Sequence, residues 1–193
     1  MKNIKIKVSI IGAGYMAIEH IKVFSSISGV KIVGIHSRTK SKAQSVAIQF
    51  NIPFVAETIA DLYEKTKADL LVIAVSELGV YSVVQQAFKY PWLSIIEKPA
   101  GYNFENALLI KGLEVKYKAR AFVSFNRRFY NSTRLILNEI KGVKGQRLIQ
   151  VYDQEEPLLL DRPPEVHQNW MYANSIHVID YLKILGRGKI THV

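Results

Sequence analysis

The amino-acid sequence predicts an α/β protein with a doubly wound parallel sheet. Extended apolar runs alternate with helical patterns from the start of the chain to about residue 125, and this alternation is typical of parallel strands joined by helices. The first apolar run, Val8–Ile11, breaks into a glycine-containing turn and continues as a helix. A hydrophobic content of 49% over 193 residues is ample for a packed core.

Five strands and four long helices follow from the hydrophobic periodicity of this first part. The strands are predicted near residues 4–11, 30–36, 69–75, 93–97 and 119–125. The helices are predicted near residues 15–27, 39–50, 77–89 and 103–117, and a short helix near Asp61 precedes the third strand.

The pattern changes after residue 125. Its predicted elements are a helix near 131–140, a strand near 146–153, a proline-containing loop over 155–164, a helix near 173–185 and a strand over 189–193. The last of these strands has no partner left in the sequence. On this reasoning the chain is short or truncated.

The turn after the first strand has the composition of a phosphate-binding turn. Residues 12–17 read Gly-Ala-Gly-Tyr-Met-Ala. Gly12 permits the tight strand-to-helix turn, Gly14 lets the backbone approach a pyrophosphate, and Ala17 lets the helix pack closely on the strand. Residues 1–121 are therefore assigned to a Rossmann domain that binds NAD or NADP. The predicted cofactor-binding residues at this turn are Gly12, Gly14, Tyr15 and Met16.

The residues after the second strand favour NADP over NAD. An acid at this point binds the ribose hydroxyl of NAD and repels the phosphate of NADP, but this chain has Ser37, Arg38 and Thr39. Serine and threonine hydroxyls and an arginine guanidinium can all donate hydrogen bonds to a phosphate. Alternatively, these residues form a basic surface loop in which Ser37 and Thr39 cap the next helix.

Composition narrows the classes of partner. The formal net charge is +10, but the basic residues are scattered along the chain, so we expect a solvated surface and no nucleic-acid partner. Five dispersed histidines and no cysteines give no metal-binding spacing, and we predict no metal. No stretch approaches the apolar length of a membrane span, and the absence of cysteine favours a cytoplasmic location.

Four sequence blocks in this order resemble the Gfo/Idh/MocA family of nicotinamide-dependent oxidoreductases. The blocks are residues 12–20, Glu97-Lys98-Pro99, residues 125–129 and residues 177–180. The resemblance implies hydride transfer between nicotinamide and a hydroxyl-bearing carbon, with a sugar or nucleotide sugar as substrate in polysaccharide biosynthesis. It also implies a second α/β domain that covers the cofactor and often forms a homo-oligomer interface, and residues 122–193 are expected to be a partial α/β domain of this kind.

The same resemblance assigns two catalytic residues. Lys98 would hydrogen-bond the reacting hydroxyl and contact the cofactor together with Glu97, and the Lys98–Pro99 bond could be cis. His177 would transfer the proton, although the family's aspartate one turn earlier is replaced by Ala173. Without the resemblance, Lys98 reads as a strand-end lysine and His177 as a buried histidine on an apolar face with Ile176, Ile179, Leu182 and Ile184.

Four further residues are candidates for substrate binding. They are Asn126, Arg127, Trp170 and Asn174. Alternatively, the first two cap a helix and form salt bridges, and the aromatic residue fills the core. Two other functions remain open at this point: a catalytically silent nucleotide-binding protein, and an interaction module that pairs through a sheet edge.

Overall fold

The computed structural model describes residues 6–154 and 162–186, and the chain divides into two compact units, Met1–Ser124 and Phe125–Val193. The described strands of the first unit are β1 (Ile6–Ile11), β2 (Val30–His36), β3 (Val55–Ala56), β4 (Leu70–Ile73), β5 (Leu93–Ile96) and β6 (Arg120–Val123). Its helices are α1 (Tyr15–Ser26), α2 (Lys40–Phe50), α3 (Ile59–Thr66), α4 (Val80–Ala87) and α5 (Phe104–Tyr117).

The sheet of the first unit is parallel throughout. Its strand order is β3-β2-β1-β4-β5-β6, and each strand pairs in parallel with its neighbours. This arrangement confirms the predicted doubly wound α/β fold. Because β1 lies between β2 and β4, the order reverses beside β1, and the carboxyl ends of β1 and β4 border a crevice at which such sheets bind ligands.

Apolar residues of the strands alternate between two cores, one on each face of the sheet. Val8 and Ile10 of β1 pack on one face with Ala17 and Ile21 of α1. Ile11, at the end of the same strand, packs on the other face. This burial on both faces explains why the strands read as continuous apolar runs in the sequence.

Two elements of the first unit differ from the sequence prediction. The strand β3 was not predicted, because two residues are too few to show a periodicity. The predicted helix over 77–89 is a 3-10 turn, Glu77–Gly79, followed by α4. The predicted short helix near Asp61 is α3, whose first turn is capped by the Thr58 hydroxyl accepting a hydrogen bond from the Asp61 N–H at 3.0 Å.

The described part of the second unit is helical. A 3-10 turn, Asn126–Phe129, is followed by α6 (Asn131–Glu139), α7 (Pro164–Gln168), α8 (Trp170–Ala173) and α9 (Ile176–Leu185). The predicted α/β character is therefore not found in these residues. The predicted strand over 189–193 and most of the loop over 155–164 lie outside the described residues.

The predicted strand over 146–153 is wrong, because the described residues provide no ladder for it. Its Arg147 guanidinium instead donates hydrogen bonds to the carbonyls of Ile140 and Leu185, at 2.7 and 2.8 Å. These bonds tie the segment to the ends of α6 and α9 through a side chain rather than through backbone pairing.

No helix among the described residues combines the length and the apolar character needed to cross a bilayer.

Candidate cofactor-binding site

A cleft of about 530 Å³ lies at the carboxyl ends of β1, β2 and β4. One wall is the turn of Gly12, Ala13 and Gly14, and the other is the segment that follows β2. Its position coincides with the reversal of strand order, so the topology and the shape of the surface indicate the same ligand site.

The two glycines of the turn are required for different reasons. Gly12 has a φ of +118°, and a Cβ there would lie 2.0 Å from the carbonyl oxygen of Ala74, so the packing of the protein itself excludes a side chain. A Cβ on Gly14 would meet no heavy atom within 4 Å. Gly14 precedes the first turn of α1, where the unpaired N–H groups favour an anion. The open space at this point fits a pyrophosphate.

The residues after Gly14 leave the start of α1 accessible. Tyr15 is 75% exposed and Met16 is 38% exposed. Both side chains therefore lie at the surface beside the turn, as a contact with a bound cofactor requires.

The segment after β2 presents polar and basic groups to the cleft. Ser37, Arg38 and Thr39 all line it, and the Ser37 hydroxyl also accepts a hydrogen bond from the Thr39 N–H at 3.3 Å. Thr39 stands at the N-cap position of α2, but no side chain caps that helix, so the alternative of Ser37 and Thr39 as helix caps is not supported. Lys42, in the first turn of α2, lines the cleft as well. Sequence reasoning missed Lys42, although its place one turn after Thr39 was a usable signal.

Glu57 is the single acidic residue among the described residues that line the cleft. It follows β3 and forms an ion pair with Lys40, which compensates its charge. Sequence reasoning missed this residue too, because β3 itself was not predicted.

At the end of β5, Glu97 is buried and held by a partner from α1. The Glu97 Oε1 lies 2.7 Å from the His20 Nε2. Burial raises the pKa of the Glu97 carboxyl, but hydrogen bonds from His20, Ser124 and the Lys98 N–H outweigh burial, and the net pKa lies below its ordinary value. His20 and Glu97 each belong to a sequence block that resembles the family, but the sequence did not predict that they pair.

Lys98 follows Glu97 at the carboxyl edge of the sheet and is half-buried. The Lys98–Pro99 bond is cis, which confirms the expectation from the sequence. Neither Glu97 nor Lys98 is among the described residues that line the cleft.

His177 lies in the first turn of α9 in the second unit, 7% exposed, with its ring edge-on to that of Phe125 at a centroid distance of 6.1 Å. Ala173 is buried one turn earlier. The face of α9 expected to be apolar and buried is only partly so, since Ile179 is 39% exposed and Leu182 is 46% exposed. This expectation was wrong because helical periodicity predicts a face but not how much of it a neighbour covers.

Asp180, one turn after His177, is engaged elsewhere. Its carboxylate accepts hydrogen bonds from both Nε and a terminal nitrogen of Arg128, and the Nε contact measures 2.6 Å. This bidentate pairing raises the pKa of Arg128 through hydrogen bonding. It leaves the Asp180 carboxylate committed to the arginine.

The four candidates for substrate binding all lie in the second unit. Asn126 is exposed in the 3-10 turn, and the Nη1 of Arg127 contacts the Oδ2 of Asp153 at 2.8 Å. The Trp170 ring stacks on that of His167 at 5.8 Å, and Asn174 follows α8.

Residues 6–125 match the sequence model of the Gfo/Idh/MocA oxidoreductases, described as an oxidoreductase family with an NAD-binding Rossmann fold. The chain belongs to this family. The match covers the glycine turn, the segment after β2 and the Lys98 motif of this Gfo/Idh/MocA protein. No curated protein matches the chain.

Solved structures of the same fold are similar to this family member at low identity. A candidate NADPH-dependent oxidoreductase from Desulfitobacterium hafniense has a TM-score of 0.81 and 18% identity, over 93% of this chain and 54% of that one. Myo-inositol dehydrogenase from Lactobacillus casei, in complex with NAD(H) and myo-inositol, has a TM-score of 0.68 and 22% identity, over 74% and 43%.

UDP-N-acetylglucosamine 3-dehydrogenase from Acidithiobacillus ferrooxidans has a TM-score of 0.62 and 16% identity, over 69% of this chain and 43% of that one. The chain thus spans about half the length of these structures or less. At such identities the likeness shows the fold.

Proposed function

We propose that this chain binds NADP in preference to NAD and transfers hydride between the nicotinamide and the hydroxyl-bearing carbon of a sugar or nucleotide sugar. The observation that carries the cofactor preference is the wall of the cleft after β2, where Ser37, Arg38 and Lys42 lie and no acid ends the strand. The dehydrogenases of similar fold act on an inositol and on a nucleotide sugar, which supports the substrate class. We place this activity in polysaccharide biosynthesis and in a homo-oligomer, as the resemblance implies, and in the cytoplasm, as the absence of cysteine favours.

The basic groups of the cleft suit the extra phosphate of NADP. A guanidinium such as that of Arg38 can hold a phosphate through two parallel hydrogen bonds, while Lys42 adds a compact charge. Glu57 is the acid that could oppose this binding, and its ion pair with Lys40 removes most of that opposition.

Cofactor titration tests this proposal. We expect NADPH to bind at least ten times more tightly than NADH, measured by nicotinamide fluorescence at fixed ionic strength. Arg38→Ala removes a charge-assisted hydrogen bond and should weaken NADPH binding by about tenfold or more, with little effect on NADH. Lys111→Ala, an exposed substitution in α5 that removes the same charge, is the matched control. Equal affinity for both cofactors in the parent chain would contradict the proposed preference.

The bound nicotinamide would supply the site that accepts or donates hydride. Lys98 would donate a hydrogen bond to the reacting oxygen, and His177 would take up or release the proton. Lys98→Ala should therefore abolish turnover, and NADPH affinity should fall far less than turnover does, because the lost cofactor contact is one of many. Unchanged turnover in Lys98→Ala would contradict this role.

A second function, nucleotide binding without catalysis, is favoured by one observation in the second unit. Ala173 stands where the family has an aspartate, and the carboxylate of Asp180 is held by Arg128, so neither supplies an acid to orient His177. Loss of the family's aspartate from this one position can cost orders of magnitude in rate. Ala173→Asp distinguishes the two functions: a gain in turnover supports an enzyme with a weakened site, and no turnover before or after the substitution supports a binding protein.

A further inference from the structure

Basic side chains of the first unit are concentrated at the edge of the sheet opposite the cofactor cleft. In a parallel sheet whose helices run antiparallel to its strands, the strands begin and the helices end on the same side. This side lies along the amino-terminal ends of the strands, and we call it the basic edge. Its exposed basic residues among those described are Lys31, Lys65, Lys67, Lys89, Lys116, Lys118 and Arg120.

The acids at the basic edge are already engaged. Glu64 pairs with Lys67, Asp69 accepts the N–H of Lys7 at 2.8 Å, and Glu114 pairs with a lysine in the middle of α5. In contrast, six of the exposed basic groups form no ion pair within the described part of the chain. They are Lys31, Lys65, Lys89, Lys116, Lys118 and Arg120.

The opposite edge, which carries the cleft, has more acids than bases. Its described acids are Glu57, Asp61, Glu77, Glu97 and Glu105. Its described bases are Arg38, Lys40, Lys42 and Lys98. The positive charge of the first unit is therefore not gathered around the cofactor cleft, and binding of an anionic cofactor does not account for it.

Two of these lysines occupy backbone positions that favour glycine. Lys67 and Lys118 end α3 and α5 with φ values of 45° and 51°, in the left-handed region. Favourable interaction with the helix dipole does not require them, because Lys65 and Lys116 already lie in the last turns of the same helices. Lysine at a left-handed position costs free energy relative to glycine, so its presence at both helix ends indicates that the charge has a function.

Exposed aliphatic residues are interspersed with the lysines. Ile48, in the last turn of α2, is 80% exposed, and Val115, in the last turn of α5, is 64% exposed. Ile6 and Ile27, at the start of β1 and just after α1, are 44% and 45% exposed. Lysines mixed with exposed aliphatic groups are typical of protein surfaces that lie on anionic lipid headgroups.

A nucleic-acid partner fits this edge less well. Such surfaces use arginine for phosphates and free aromatic rings for stacking on bases, whereas the basic edge has six exposed lysines to one arginine. The aromatic rings near it are engaged with one another, since Tyr63 stacks on Tyr90 at 4.7 Å and contacts Trp92 edge-on at 5.1 Å.

We propose that the basic edge binds the surface of an anionic lipid bilayer. The two edges of the sheet are separated by about 20 Å, the length of a helix such as α5. Binding at the basic edge therefore leaves the cofactor cleft accessible. Each basic side chain near an anionic bilayer strengthens binding by about fivefold.

Vesicle sedimentation of the full chain tests this proposal. The vesicles contain phosphatidylcholine with about 30% phosphatidylglycerol, at an ionic strength near 0.1 M where the Debye length is about 10 Å. We expect binding to these vesicles and at least tenfold weaker binding to pure phosphatidylcholine. The double variant Lys89→Gln/Lys118→Gly should bind about 30-fold more weakly, and glycine at position 118 suits the backbone there.

The control variant Lys22→Gln/Lys40→Gln loses the same charge from the middle of α1 and from the start of α2 on the cleft side, and it should bind vesicles within about twofold of the parent. Equal binding to neutral vesicles, no binding to anionic vesicles, or an equal loss in both double variants would overturn the proposal. Binding to a single-stranded oligonucleotide without binding to anionic vesicles would overturn it in favour of a nucleic-acid surface. NADPH affinity, measured with and without vesicles, reports the proposed function separately.

Discussion

Replacing Gly12 by alanine tests whether the turn after β1 is held by the protein's own backbone. The new Cβ would lie 2.0 Å from the oxygen and 2.8 Å from the carbon of the Ala74 carbonyl. The φ of +118° adds about 1–3 kcal/mol of strain for a residue with a side chain. Relief requires a backbone shift at Ala74, whose N–H bonds the Ile11 carbonyl at 2.8 Å. We expect a loss of about 4 kcal/mol or more in the free energy of unfolding.

Gly14→Ala is the matched control for stability and the sensitive variant for binding. No heavy atom lies within 4 Å of the new Cβ, so the free energy of unfolding should change by less than about 1 kcal/mol, as expected for alanine at a helix N-cap. The methyl group would occupy the space that a pyrophosphate needs at the start of α1. NADPH affinity should fall by tenfold or more.

Two measurements separate the roles of these glycines. Urea denaturation followed by far-ultraviolet circular dichroism gives the free energy of unfolding, and NADPH fluorescence gives the affinity of the folded protein. A Gly12→Ala protein as stable as the parent would refute the backbone overlap with Ala74. A Gly14→Ala protein that binds NADPH with unchanged affinity would refute the approach of phosphates to α1.

Three further substitutions test individual contacts. Because the folded-state pKa of Glu97 is lowered, its carboxylate stabilises the fold above the ordinary value of 4.5, and this stability is lost as the pH falls through the folded-state pKa. Glu97→Gln should therefore flatten the acid side of a stability profile measured by urea denaturation across pH, and an unchanged slope would contradict this. Thr58→Ala removes the cap of α3 and should cost about 1 kcal/mol in the same assay at neutral pH, whereas a cost near zero would mean that water replaces the cap. Arg128→Ala leaves the Asp180 carboxylate without its arginine and should destabilise the second unit by about 1–2 kcal/mol, seen as faster limited proteolysis after residue 125; unchanged proteolysis would argue against that pair.

The sequence predicted most of the first unit because its strands are buried on both faces and its helices have one apolar side. The same reasoning failed for residues 146–153, where alternating apolar residues suggested a strand. Leu148 and Tyr152 are 89% and 87% exposed there, so the pattern does not mark a buried face. A period of two is compatible with a strand, but a strand also requires a neighbour for its backbone groups, and a local pattern carries no information about neighbours.

Some residues of the candidate site were predictable from local sequence spacing, whereas contacts between distant positions were not. Gly12, Gly14 and Arg38 lie directly beside predicted elements, so their position at the cleft followed from spacing alone. The pairing of His20 with Glu97 spans 77 positions and joins a helix to a strand on the other side of β4. Such a contact depends on strand order, which periodicity does not determine.

The location of the positive charge in the fold is a feature that the sequence does contain. Read residue by residue, the lysines look scattered, because each ends a helix or begins a strand far from the others in the chain. Once helices and parallel strands alternate, however, every helix end and strand start must meet at one edge. Sorting the charges by edge rather than by position in the chain separates the basic edge from the cofactor edge on the sequence alone. In doubly wound proteins, therefore, the direction of each element gives net charge a location, and a location is what an anionic partner recognises.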